Sequence, residues 1–200
     1  MTTQLEVLNH MLNTIGETPV SSPDSNHPSA LSATVTLNRV NKEFQKKGWW
    51  FNTEFSLILS PDGNGHIIIP SGTLYIDPVD VTSRLARRNG KLYDPVNHTY
   101  AINEAVIVDA VLQLEIADLP ESAANYLMHK AAYDFYVNDD GDETKASRLE
   151  KRVDRAWAEL RQEELKAADI NANNRPMTAR LRIRMRQGGA GHNPIYPGGG

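Results

Sequence analysis

DLPESAANYLMHKAAYDFYVNDDGDETKASRLEKRVDRAWAELRQEELKAA, residues 118–168, reads as two long helices joined by one sharp acidic turn. In the first, Pro120 sits where its missing N–H costs nothing and Glu121 adds a negative charge to the opening turn. Ala124, Leu127, Met128, Ala131 and Phe135 recur at three- and four-residue spacing, which places them on one face that must be buried. Asn138-Asp139-Asp140-Gly141-Asp142 then supplies a glycine to end one helix and a carboxylate to cap the next. The second helix repeats the pattern with Ala146, Leu149, Val153, Ala156, Trp157 and Leu160, while Lys145, Arg148, Glu150, Lys151, Arg152, Arg155, Glu159 and Arg161 stay wet. These two helices are the scaffold for the rest.

Upstream, Thr3 followed by Glu6 is a capping box, and Leu5, Leu8, Leu12 and Ile15 share a helical face before Gly16 and Pro19 stop it. Residues 17–28 contain three prolines among small polar residues and form a loop. Ala30, Ala33, Leu37, Val40 and Phe44 define a second helix that ends at Lys46, Lys47 and Gly48. Trp49, Trp50 and Phe51 follow, where the period changes from 3.6 to two. They are read as a core lock between that helix and a sheet, with a carbohydrate platform as the alternative.

From Glu54 to Ile116 the punctuation is that of short antiparallel strands, including Phe55, Leu57 and Leu59, the run Ile67-Ile68-Ile69, and Leu74 with Ile76. Arg88-Asn89-Gly90-Lys91 predicts a two-residue hairpin, because Asn-Gly accepts positive φ. In the last strand Val106, Val108, Ala110, Leu112, Leu114 and Ile116 alternate onto one apolar face, for which the helices are the expected cover.

The expected fold is therefore α+β: a helical bundle of four long helices, two N-terminal and two C-terminal, with an inserted antiparallel β meander and a flexible C-terminal tail. Residues 1–52 and 118–168 form the helical domain, 53–117 the antiparallel β region, and 169–200 a flexible, basic, Gly-rich tail.

The absence of cysteine excludes disulfides, thiolate nucleophiles and cysteine-ligated metal. No run approaches the roughly 20 apolar residues of a membrane span, and the amino terminus lacks the basic and apolar regions of a signal peptide, so synthesis in the cytoplasm is expected. The net charge of −4 hides an asymmetry, since residues 171–200 hold five arginines and no acid; removing them leaves −9 for residues 1–170.

No nucleophile elbow, dinucleotide fingerprint, phosphate loop or His-Glu-x-x-His motif is present. His10, His27, His66, His98, His129 and His192 are scattered and read as surface residues. Asp139, Asp140, Asp142 and Glu143, with Glu150 at the twelfth position, do not make a calcium loop because helix occupies the positions between. No catalytic residue, metal or cofactor is expected. Asp77, Asp80 and Glu104 are the carboxylates from which an acid/base pair for glycan hydrolysis would have to be drawn. The other outstanding feature is Arg180-Leu181-Arg182-Ile183-Arg184-Met185-Arg186. Its alternation would set Arg180, Arg182, Arg184 and Arg186 on one face of an extended strand, suited to a partner's edge or an acidic surface. A solvated basic tail and a nucleic-acid contact are the other readings.

Ile15-Gly16-Glu17-Thr18-Pro19-Val20, Gly48-Trp49-Trp50-Phe51-Asn52, Gly90-Lys91-Leu92-Tyr93-Asp94, Leu119-Pro120-Glu121 and Lys130-Ala131 occur in an order and spacing that resembles the tail tubular protein A family. That family is the head-to-tail adaptor of short-tailed, T7-like bacteriophages, and the resemblance covers residues 4 to 165. It implies a structural virion protein of the tail, a ring of about twelve copies joining the portal protein to the tail nozzle protein. Such a ring extends the channel through which double-stranded DNA passes without sequence-specific binding, and supports genome retention and ejection. Acidic walls would let DNA slide where basic walls would hold it. A tail-associated glycan hydrolase using a carboxylate pair is the alternative, and a DNA-binding module a third reading.

Overall fold

In a computed structural model of the chain, residues 1–80, 83–140 and 142–172 are described. Helix α1 (Gln4–Ile15) starts where the capping box puts it: Thr3 Oγ1 accepts from the Glu6 N–H at 3.2 Å, and Glu6 Oε2 accepts from the Thr3 N–H at 2.7 Å. It ends at Gly16, whose φ of 85° is the left-handed cap. Helix α2 (Pro28–Gln45) opens with its proline at the first helical position. Helices α3 (Glu121–Asp140) and α4 (Glu143–Ala172) flank the acidic turn, where Asp142 Oδ1 accepts from the Lys145 N–H at 2.8 Å. α4 thus continues four residues into the stretch expected to be tail. No glycine or proline interrupts the chain there before Pro176.

Helix α3 touches the other three helices. Ala123, Ala124, Ala131 and Ala132 are buried on it, and such small side chains permit close approach of neighbouring axes. Val7, Leu8, Met11, Leu12, Leu37, Phe44, Leu127, Phe135 and Leu160 fill the resulting core. Met11, Leu12, Leu37 and Leu127 are wholly inaccessible, each such burial favouring the fold by about 1.5–3 kcal/mol.

Five strands follow in the chain: β1 (Thr53–Leu59), β2 (Thr73–Pro78), β3 (Ala86–Arg88), β4 (Lys91–Tyr93) and β5 (Val106–Leu112). They are not a meander. β1, β5 and β2 form one antiparallel sheet in the order β1-β5-β2, while β3 and β4 pair alone. The last strand takes the centre because it is the most apolar, with Val108, Ala110 and Val111 buried. β1 and β2 carry Glu54, Ser56 and Asp77 and serve as edges, and Pro78 ends β2. The β3–β4 hairpin turns at Asn89 (φ 49°) and Gly90 (φ 70°) as expected, with Arg88 opposite Lys91.

The expected cover of β5 by the helices is corrected. Val108 packs with Leu59, Ile67, Ile69 and Leu92 in a second, smaller core made by the β region itself. The Ile67-Ile68-Ile69 run forms no named strand, but bonds from the Leu92 N–H to the Ile67 carbonyl and from the Ile69 N–H to the Gly90 carbonyl fold it over the hairpin. The strand also stops at Leu112, so Leu114 and Ile116 pack into the helical core instead.

The two regions meet through buried amides. Asn52 Nδ2 donates to the carbonyls of Gln45 and Leu112, at 3.0 and 2.8 Å, and its Oδ1 accepts from the Trp49 N–H. The Trp49 ring is 3% exposed, donates through Nε1 to the Phe44 carbonyl, and stands edge-on to Trp157 at 5.6 Å. It is a core ring, and it locks the end of α2 onto α4 more than onto the sheet.

Candidate functional site

Arg180, Arg182, Arg184 and Arg186, the candidate partner-binding residues, lie outside the described residues. Asp77 lies on β2 directly opposite Asp109 on β5, Asp80 just beyond the strand, and Glu104 in the loop before β5. All three of Asp77, Asp80 and Glu104 are exposed. A general acid for glycoside cleavage needs a carboxyl whose proton is retained by burial. These positions lack that burial.

Two apolar patches reach the surface of regular elements. Leu31 and Val35 lie one turn apart on α2 and are 50% and 70% exposed. Ile58 on β1 faces Ile107 on β5 across the ladder, and both are exposed.

A cleft of about 290 Å³ lies between the last two helices, lined by Asn125 and His129 of α3 and by Arg152, Arg155, Ala156 and Glu159 of α4. Asn125 and His129 project from one side because they are four residues apart, and Arg152, Arg155 and Glu159 line the other by the same periodicity. Buried Ala156 leaves room between the walls.

His129 also meets His10 of α1, the ring centroids 5.4 Å apart at 74°. The reading of these two histidines as surface groups is therefore corrected: α1 lies along α3, and the two rings are half-buried between them. His10 Nε2 and His129 Nδ1 are buried with no hydrogen-bond partner. Desolvation lowers the pKa of both. The charge on Arg152 adds to the effect at His10; at His129 the neighbouring His10 and then Arg152 do so, against an opposing pull from Glu159. Burial and the Arg152 charge thus both favour the neutral form of each ring.

The sequence marked Arg152 and Arg155 only as members of a wet face, and the pairing of His10 with His129 left no trace in it. Val7, Leu8, Met11 and Leu12 are all inaccessible in α1, a wider buried arc than Leu5, Leu8, Leu12 and Ile15 imply, and it extends to His10. The cleft presents the guanidinium donors of Arg152 and Arg155, with acceptors from the Glu159 carboxylate and the Asn125 amide oxygen.

A family model described as Tube, tail tubular protein, matches residues 5–170. Tail tubular protein A of Klebsiella phage KP34 is 26% identical over 179 residues, 90% of this chain and 96% of that protein. No described helix is long and apolar enough to cross a membrane. The chain is thus similar to structural proteins of bacteriophage tails, and a family match that takes in both the helices and the strands establishes that it belongs to the tail tubular protein family.

Proposed function

We propose that this chain is the ring-forming adaptor of a short phage tail. About twelve copies join the portal protein to the tail nozzle protein, extend the DNA channel, and help retain and then release the genome. The observation that carries the reading is the family match across residues 5–170. The charge supports it: residues 1–170 sum to −9, so a wall built from them repels phosphates and lets duplex DNA slide.

In this reading the four helices, two from each end of the chain, form the body of the ring as one bundle. Residues 1–52 and 118–172 are one unit, 53–117 hangs from it, and the basic residues 173–200 follow. Arg180, Arg182, Arg184 and Arg186 contact the portal or a neighbouring copy. The chain is made in the host cytoplasm and works in the virion tail.

Co-sedimentation of the purified chain with the portal assembly of the same virus, with end-on electron microscopy of the complex, tests this. A ring added to the portal is expected. A chain that stays free at concentrations well above micromolar overturns the adaptor role. Deleting residues 176–200 tests the arginine contact: assembly that survives the deletion removes the arginines from the interface.

A further inference from the structure

Helix α4 carries several like-signed neighbours four residues apart: Arg148 stands one turn from Arg152, Lys151 from Arg155, Glu150 from Asp154 and Glu159 from Glu163, while Arg155 and Glu159 are an opposite pair at the same spacing. Such like-signed neighbours weaken an isolated helix. Among the described residues Arg39 binds Glu43 and Asp134, Lys130 binds Asp134 and, on α4 itself, Arg161 binds Glu164. Arg152 and Arg155 have no such bond among the described residues, and they overhang the cleft in which His129 Nδ1 is buried and unpartnered.

The missing anion is best matched by protein. Arg148, Arg152, Arg155, Glu159 and Glu163 share one face of α4, so a continuous phosphate backbone laid along the arginines would run onto two carboxylates. A short acidic segment avoids them. This chain carries one in Asp139, Asp140, Asp142 and Glu143, at the turn between α3 and α4. Within a single copy it cannot reach the cleft. Asp142 caps α4 ten residues before Arg152, about 15 Å along the helix axis.

We propose that the cleft of Arg152, Arg155, Asn125 and His129 receives the acidic α3–α4 turn of a second copy, and that this is a head-to-tail contact between neighbours. One patch meeting a different patch is the kind of contact that, repeated by rotation, closes a ring. The inference rests on the ring reading above.

The test uses the full chain mixed with its portal, scored as rings by electron microscopy, with a thermal melt of each free variant as the folding control. Arg152→Glu with Arg155→Glu, and separately Asp139→Lys with Asp140→Lys, are each expected to reduce rings at least about ten-fold without lowering the melt. Asp142 keeps its capping role in both. Mixing the two variants restores every contact, reversed at one junction and native at the next, and rings are expected to return. If the wild type forms rings and either variant does so equally well, the inference fails and the ring reading stands. It also fails if both variants lose rings and the mixture does not regain them. A wild-type chain that forms no ring on the portal overturns the ring reading, and this inference with it.

Discussion

Gln45 binds both backbone groups of Leu114: its Nε2 donates to the Leu114 carbonyl at 2.9 Å and its Oε1 accepts from the Leu114 N–H at 2.8 Å. A side-chain amide from α2 thus takes the place of a neighbouring strand just where β5 has ended. Gln45 is wholly buried, so no water can substitute. Gln45→Leu removes both bonds and the one its Nε2 gives to Asn41 Oδ1, and is expected to cost about 2–4 kcal/mol in unfolding free energy by urea denaturation, from two orphaned backbone groups and a buried amide oxygen. A loss under about 0.5 kcal/mol would mean that the backbone finds other partners.

Gly48 and Gly90 form a matched pair. Their φ angles are 76° and 70°, but a Cβ at Gly48 would stand 3.0 Å from Val111 Cγ2, while one at Gly90 meets nothing within 4 Å. Gly90→Ala is expected to cost about 1–2 kcal/mol for the left-handed conformation alone. Gly48→Ala adds overpacking at the junction of α2 and the sheet and should exceed it by at least about 1 kcal/mol. Equal losses in the two melts would show that Val111 yields freely.

The His10–His129 pair links stability to pH. Both folded-state pKa values lie below that of the unfolded chain, so the unfolded state binds more protons over that interval, and stability rises with pH through it. The contribution is complete above the ordinary histidine value of about 6.5 and is lost as the pH falls below it. Urea midpoints taken from pH 7.5 down to 5 should decline for the wild type and less steeply for His10→Leu with His129→Leu. Parallel curves would remove the pair as the cause.

Asn9 repeats the Gln45 arrangement on α1. Its Nδ2 donates to the Val20 carbonyl at 3.0 Å and its Oδ1 accepts from the Val20 N–H at 2.8 Å, pinning the proline-rich loop. Because this site is only partly buried, Asn9→Ala should cost less than Gln45→Leu, about 1–2 kcal/mol. The loop should become the first segment cut in limited proteolysis, whereas an unchanged cleavage pattern would show that other contacts hold it.

What the sequence disclosed was local. Thr3 with Glu6, Asn89-Gly90 and the Asp142 cap each encode their geometry within a few residues, and all three form as read. Strand order was hidden because it depends on β5 meeting β1 about fifty residues away, a competition between strands that no single stretch records. The alternation running through Leu114 and Ile116 misled for a related reason: the apolar period continues while the partner changes from a strand to the side chain of Gln45. Buried Gln45 and Asn52 look like ordinary polar residues until their backbone partners are in place. Likewise, His10 and His129 are 119 residues apart, and only the packing of α1 on α3 makes them a pair. The cleft was half visible, as charges on α4, without the neighbouring wall that makes it concave.

Val108 and Leu92 belong to a hydrophobic cluster that shares no residue with that of Leu8, Leu127 and Leu160, and hydrogen bonds from buried side-chain amides join the two. Their opening free energies need not match. Amide protons of β4 and β5 should then exchange with solvent through an opening that leaves the middle of α3 protected, so that an appendage can be strained without loosening the body that carries it.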